Sequence, residues 1–185
     1  MNGPLGCISP AYLEEQKRLH AQPEGYGGKG RKWAPWVEES AMRLPVCQTF
    51  LDYGCGQGSL ALALRRVWGP AIQIREYDPA IAGKDTAPQP AHLVACTDVL
   101  EHVEPHLIQN VLSHLDTLAV HGLFLVVSLV ETAKTLSDGR QAHILLRPAT
   151  WWRSQFERRG FELHEFLDAP KLEKQWVALA TRKAR

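Results

Sequence analysis

Two acidic residues close successive apolar runs and stand where they could grip one ligand from two ends. Asp52 ends the run TFLD, and three glycines follow at alternate positions, Gly54, Gly56 and Gly58. Glycine lacks a Cβ and tolerates positive φ, so such a turn lets a ligand lie against the backbone. The helix that follows, starting SLALAL, offers unpaired N–H groups at its first turn. Asp52 can orient an ammonium group or hold the loop's own amides, and it is unwelcome beside a diphosphate. Asp78 stands twenty residues past Gly58, after the next strand, and Pro79 ends that strand. A carboxylate there can accept hydrogen bonds from both hydroxyls of a ribose. Glu76, two residues earlier, shares its face and reads equally well as a solvated strand end. A dinucleotide site asks for G-x-G-x-x-G; here the last glycine comes one residue early. A tight structural turn without a ligand is the plainer alternative.

A second group of reactive side chains follows at Asp98, Glu101 and His102. His102 is the candidate general base, with Glu101 or Asp98 orienting it or gripping a cationic acceptor. A histidine that merely caps or packs at a helix start accounts for it as simply. Glu101, His102 and His106 are metal-ligating types, but Pro105 interrupts the i,i+4 relation, and no metal is expected. Arg140 and His143 lie in SDGRQAHILLRP, where Arg140 could clamp a phosphate or carboxylate in a fork. A solvated hairpin tip is the duller account. Tyr26 and Trp33 flank the basic segment YGGKGRKW and are the candidates for a lid closing on the ligand.

The elements that must hold these residues alternate between strand and helix. A short helix is expected from Pro10 to about His20, broken by AQPEGYGGKGRK. A second is expected from Trp33 to about Ala41, then strand one in VCQTFLDY. Ile72, Ile74 and Glu76 make strand two, and AHLVAC, 91–96, the next strand. Leu107, Ile108, Val111, Leu112, Leu115 and Leu118 recur at helical spacing, with Pro105 expected in the first turn. GLFLVVSL, 122–129, reads as a central strand buried on both faces. Trp152 and Phe156 share a helical face that Gly160 ends, FELHEFL alternates, and QWVALAT is the last strand, antiparallel to its neighbour. The expected fold is therefore α/β: a Rossmann-like three-layer α/β/α sandwich with a mostly parallel sheet. Residues 1–45 are expected to form a helical lid segment and 46–185 the ligand-binding domain.

The chain has 185 residues and a formal net charge of +1, with 22% charged residues. That balance gives no strong pull toward nucleic acid or an acidic membrane. Basic patches at Lys29, Arg31 and Lys32 and at Arg182, Lys183 and Arg185 are most simply solvated. The four cysteines show no ligand spacing, and they point to a reducing, cytoplasmic setting. No signal peptide and no membrane span are expected.

The motifs together resemble a known family. LDYGCGQG is similar to the first motif of class I S-adenosylmethionine (SAM)-dependent methyltransferases, an acidic residue and then G-x-G-x-G. EYDPA is similar to their second motif. CTDVLEHVEP, 96–105, resembles the segment after the fourth strand in the branch that includes ubiquinone-biosynthesis O-methyltransferases. The resemblance covers about residues 48–130. It implies that Gly54, Gly56 and Gly58 approach SAM, that Asp52 lies near its amino-acid end and that Asp78 holds the ribose. It places Cys96 and Thr97 on the floor near methionine, and Glu101 and His102 at the mouth. Only about twelve residues separate Asp78 from AHLVAC, so the family's third strand is shortened or missing, leaving Lys84 or Asp85 to reach the adenine. The expected activity is methyl transfer to a small-molecule or small polar acceptor. A nucleic-acid or modified-nucleotide methyltransferase, or a non-catalytic binding protein with the same fold, are the alternatives.

Overall fold

Near-continuous apolar runs, whose side chains point alternately to either side, build a sheet that is buried on both faces. The computed structural model describes residues 6–22 and 26–182. Part of the glycine-rich breaker, 23–25, and Lys183 and Arg185 of the tail patch lie outside the described residues. Six strands, β1 (Thr49–Tyr53), β2 (Gln73–Tyr77), β3 (Ala91–Thr97), β4 (Ala119–Ser128), β5 (Phe161–Glu165) and β6 (Gln175–Arg182), form one sheet. Their order is β2-β1-β3-β4-β6-β5. The first four run parallel, and β6 is antiparallel to both β4 and β5.

On one face Leu51, Val94, Cys96, Leu123, Leu125 and Ala178 meet α4 (Ile108–Leu118) and α5 (Ala149–Glu157), where Trp152 and Phe156 are fully buried. On the other, Phe50, Leu93, Phe124 and Val177 meet α2 (Ala34–Met42) and α3 (Ser59–Trp68) through Val37, Leu60 and Leu64. This is the expected three-layer sandwich. α1 (Pro10–His20) belongs to neither layer. It crosses the C-terminal end of the sheet, and its Tyr12 and Leu19 pack on Leu136 and Ala142 of the loop after β4.

Between β2 and β3 the chain forms turns and irregular segments, with no helix or strand. Pro79, Pro88 and Pro90 leave no room there for a strand and helix, so the third strand is missing and β2 is the edge. The order reverses beside β1, which has β2 on one side and β3 on the other. Open α/β sheets bind ligands at such a switch point, beyond the strands' C-terminal ends.

Two expected boundaries move. Pro105 lies in a turn closed by the Leu107 N–H donating to the Glu104 carbonyl at 2.8 Å, and the helix starts only at Ile108. The central strand begins at Ala119 because Ala119 pairs with Ala91 across β3, with His121 stacked on His92. Among the described residues no helix is long and apolar enough to cross a membrane.

Candidate active site

The glycine turn follows β1, and all three of its glycines have positive φ: 71° at Gly54, 50° at Gly56 and 77° at Gly58. Each is needed for a different reason. A Cβ on Gly54 would stand 2.4 Å from Val99, and one on Gly56 would stand 2.7 Å from the Gly27 carbonyl. That carbonyl also accepts the Gln57 N–H at 3.2 Å, so the N-terminal segment is seated directly on the turn. A Cβ on Gly58 would meet Glu76 Oε1 at 2.2 Å and Lys84 Nζ at 2.7 Å. Gly54 and Gly56 face the cavity; Gly58 does not and serves the packing of Glu76 and Lys84 instead. Gly58→Ala is accordingly expected to cost about 2 kcal/mol or more in a urea titration, from left-handed strain and the displaced ion pair.

Above the turn lies a cavity of about 300 Å³, walled by β1, β3 and their following loops and roofed by α1 and Tyr26–Gly30. Asp52 and Asp78 both line it and both are buried. Asp78 accepts the Gly56 N–H through Oδ2 and the Ala80 N–H through Oδ1, each at 2.9 Å. An ionised carboxylate has about four acceptor positions; the two amides leave two, with the His20 imidazole Nε2 standing 3.8 Å from Oδ2. Asp52 Oδ2 is buried without a partner. Burial, with Glu76 nearby adding to it, lifts the Asp52 carboxyl to about 7 against a bonding backbone amide at Ala61 and the Lys84 charge. Glu76 is not a ligand group: it is tied to Arg65 at 2.7 Å and Lys84 at 2.8 Å, and those bonds outweigh partial burial and hold its pKa down. Lys84 also donates to the Gly56 carbonyl. Neither Lys84 nor Asp85 lines the cavity, where Tyr77, Pro79, Ala80 and Val111 form an apolar stretch instead.

The roof adds polar groups that the sequence reading missed. Tyr12, Gln16 and His20 recur every four residues and line the cavity along one face of α1. That spacing was the available signal. The Tyr12 hydroxyl and Gln16 Nε2 are buried without partners. The helix is held in place by Ser9, whose N–H and hydroxyl donate to the Glu104 carboxylate at 2.8 and 2.7 Å. Glu15 accepts from Ser137 at 2.6 Å and fixes it to the loop after β4.

His102 and Thr97 line the cavity, together with Asp98. His102 Nδ1 stands 2.8 Å from the Ala142 carbonyl and donates to it, leaving Nε2 with its lone pair. The Tyr26 hydroxyl lies beside the same edge of the ring, 3.2 Å from Nδ1 and 3.3 Å from Nε2. Burial and the neighbouring His143 push the imidazole down to about 3. It is neutral at physiological pH and a weak proton acceptor.

Besides Gly58, five further expected site residues stand elsewhere. Cys96 points into the core shared with α4, because strand alternation sends it opposite to its neighbours. Trp33 is fully buried against Phe124, with only its indole N–H reaching Asp98 at 3.4 Å. Arg140 is an exposed turn residue paired with Asp138 at 2.7 Å. Glu101 is fully buried behind the cavity wall, where Oε1 accepts the Ser128 N–H at 3.0 Å. His143 packs against the far side of His102, ring centroids 4.8 Å apart.

The methyltransferase-domain family matches residues 24–176, and the chain belongs to that family. A comparison with curated proteins finds no match. Among solved structures, magnesium protoporphyrin IX methyltransferase (ChlM) from Synechocystis PCC 6803, with bound SAH, is 16% identical. The match covers 94% of this chain and 95% of that one, with a TM-score of 0.59. An O-methyltransferase family protein from Burkholderia thailandensis is 13% identical over 96% of this chain and 64% of its own, with a TM-score of 0.61. Human N-acetylserotonin methyltransferase, in complex with SAM, is 16% identical over 94% of this chain and 55% of its own, with a TM-score of 0.60. The fold is that of the class I SAM-dependent methyltransferases. These likenesses do not single out the branch of ubiquinone-biosynthesis O-methyltransferases.

Proposed function

We propose that this chain transfers a methyl group from SAM to a small-molecule or small polar acceptor. The carrying observation is the roofed cavity in which Asp52 and Asp78 leave acceptor positions unused at two successive strand ends. SAM, when bound, supplies an electrophilic methyl group. Asp78 has the free lone pairs to take ribose hydroxyls, and Gly54 and Gly56 allow close backbone approach. Tyr77, Pro79, Ala80 and Val111 offer an apolar surface for a base. Asp52 suits the ammonium end, since a cation there satisfies the unpartnered oxygen. Tyr12 and Gln16 offer further polar contacts from the roof. His102 and Tyr26 lie together on the acceptor side and orient what enters. In-line alignment and exclusion of water are the main demands of such a transfer, and a helix-roofed cavity serves both.

The roof favours an acceptor that can enter a narrow site over a nucleic-acid duplex. Two of the cations that would attract nucleic acid are already engaged, Lys32 with Asp98 at 3.4 Å and Arg140 with Asp138. The test is calorimetric titration with S-adenosylhomocysteine (SAH), followed by labelled methyl transfer from SAM into fractionated cell extract. One equivalent of SAH taken up and label in the small-molecule fraction is expected. Folded protein that takes up no SAH overturns the function. Label in nucleic acid, with steeply salt-sensitive binding, overturns the acceptor class. SAH uptake with no labelled product in any fraction leaves a binding protein.

A further inference from the structure

Behind His102 lies a group of side chains that the donor site does not use. Glu101, His102 and His143 each bring one donor atom within 4.8 Å of the others. We propose that these three residues bind a divalent transition-metal cation of the zinc or cobalt class, with an open coordination position facing the cavity.

Three observations carry this. Both imidazoles are pinned through the same nitrogen: His102 Nδ1 donates to the Ala142 carbonyl at 2.8 Å, and His143 Nδ1 to the Val130 carbonyl at 2.7 Å. Each is thereby fixed as the tautomer whose Nε2 carries a lone pair, the arrangement that metal-binding histidines commonly show. Glu101 is equally fixed. Its Oε1 accepts the Ser128 N–H at 3.0 Å, and its carbonyl accepts the Leu145 N–H at 3.0 Å. Its other oxygen, Oε2, is fully buried and has no partner. A buried acceptor left without a partner is costly, and a cation between it and two imidazole lone pairs removes that cost. The nearby Asp98 does not compete for the role, because Gln175 at 2.6 Å, Lys32 and Trp33 already engage it.

Two imidazoles and one carboxylate suit zinc-like ions better than magnesium or calcium, which favour all-oxygen sets. Three protein ligands leave a position free, as catalytic zinc sites do. Of the three residues only His102 lines the cavity, so the free position opens beside it, where an oxygen or nitrogen donor of the acceptor would bind. That last role rests on the proposed function; the metal site does not.

The experiment uses the untagged 185-residue chain, stripped with a chelator and titrated with Co²⁺, read by visible d–d absorption. One equivalent is expected, displaced by Zn²⁺. Glu101→Gln and His143→Ala are each expected to weaken cobalt binding by roughly 100-fold or more. His106→Ala, an exposed histidine four residues beyond His102, is expected to change nothing. SAH titration of the same samples reports separately on the donor site and on folding. A protein that binds SAH but shows no cobalt absorption overturns the metal site and leaves the function standing. So does cobalt absorption that survives in folded His143→Ala and Glu101→Gln. Cobalt uptake without SAH uptake leaves the metal site and removes the methyl-transfer reading.

Discussion

Asp78→Ala is expected to weaken SAH binding by more than about 100-fold, and to destabilise the ligand-free protein by about 2–4 kcal/mol. Both effects come from one carboxylate with two duties. It accepts the Gly56 and Ala80 amides at 2.9 Å in a buried position. Removing it strands two donors, each costing about 1–3 kcal/mol when no water reaches them. The same oxygens have the spare capacity for the ribose. Two hydrogen bonds to a charged acceptor, at about 1.5–3 kcal/mol each, correspond to at least a hundredfold in affinity. The Gly56 amide also loses its anchor, and Gly56 is where the Gly27 carbonyl sits, so the roof loosens with the turn. Asp78→Asn separates the duties. It keeps the shape and one acceptor oxygen, and it is expected to lose roughly tenfold in affinity with a smaller stability cost. Urea titration gives the stabilities and calorimetry the affinities. If folded Asp78→Ala bound SAH as tightly as the unaltered protein, the ribose would have to be held elsewhere.

What the sequence made legible is what depends on local chemistry. The turn at Gly54–Gly58 follows from spacing, and Pro79 marks Asp78 as the residue just past the end of β2. The missing third strand is written in three prolines within twelve residues of the β2–β3 connection. Other assignments depend on side-chain direction, which spacing does not carry. Gly58 looks like a third ligand-facing glycine, but the space above it belongs to Glu76. Trp33 sits beside a glycine-rich segment and reads as part of a lid, yet so large an apolar surface gains more by burial against Phe124. Cys96 was open to correction from the sequence alone, since residues 96 and 97 of a strand must face opposite ways. Arg140 was too, with Asp138 two positions away as a local partner. The pairing of His143 with His102 was not legible. It is made by a loop 41 residues on, held by the Leu145 amide on the Glu101 carbonyl.

The second large effect is a pH dependence that originates in Asp52. Its folded pKa of about 7 stands well above the usual carboxylate value of 3.8 because burial disfavours the charge, with Glu76 and Asp78 adding to it and the Ala61 amide and Lys84 opposing. The sign follows from where protons bind. Below about pH 4 Asp52 is protonated in both folded and unfolded chains, and its contribution to stability is complete. Between about pH 4 and 7 the unfolded chain gives up the proton and the folded one holds it, so ligand-free stability falls as pH rises through that window. Three pH units correspond to about 4 kcal/mol as an upper bound. Other groups tilt the whole profile: Glu101, lifted to about 8, acts in the same direction, while His20 and His114, whose pKa values burial lowers, act oppositely. The difference between the unaltered protein and Asp52→Asn isolates the one carboxyl. Asparagine is expected to be the more stable form at pH 8 and to match the original near pH 4, measured by urea titration across the range. A ligand ammonium reverses the sign, since it favours the ionised carboxylate. SAH affinity is expected to rise from pH 5 to pH 7 by up to about tenfold per unit, with a proton released on binding. Asp52→Asn is expected to bind weakly with a much smaller pH dependence. An affinity that fell over this interval, or an Asn variant with the unaltered slope, would remove Asp52 from the ammonium end of the site.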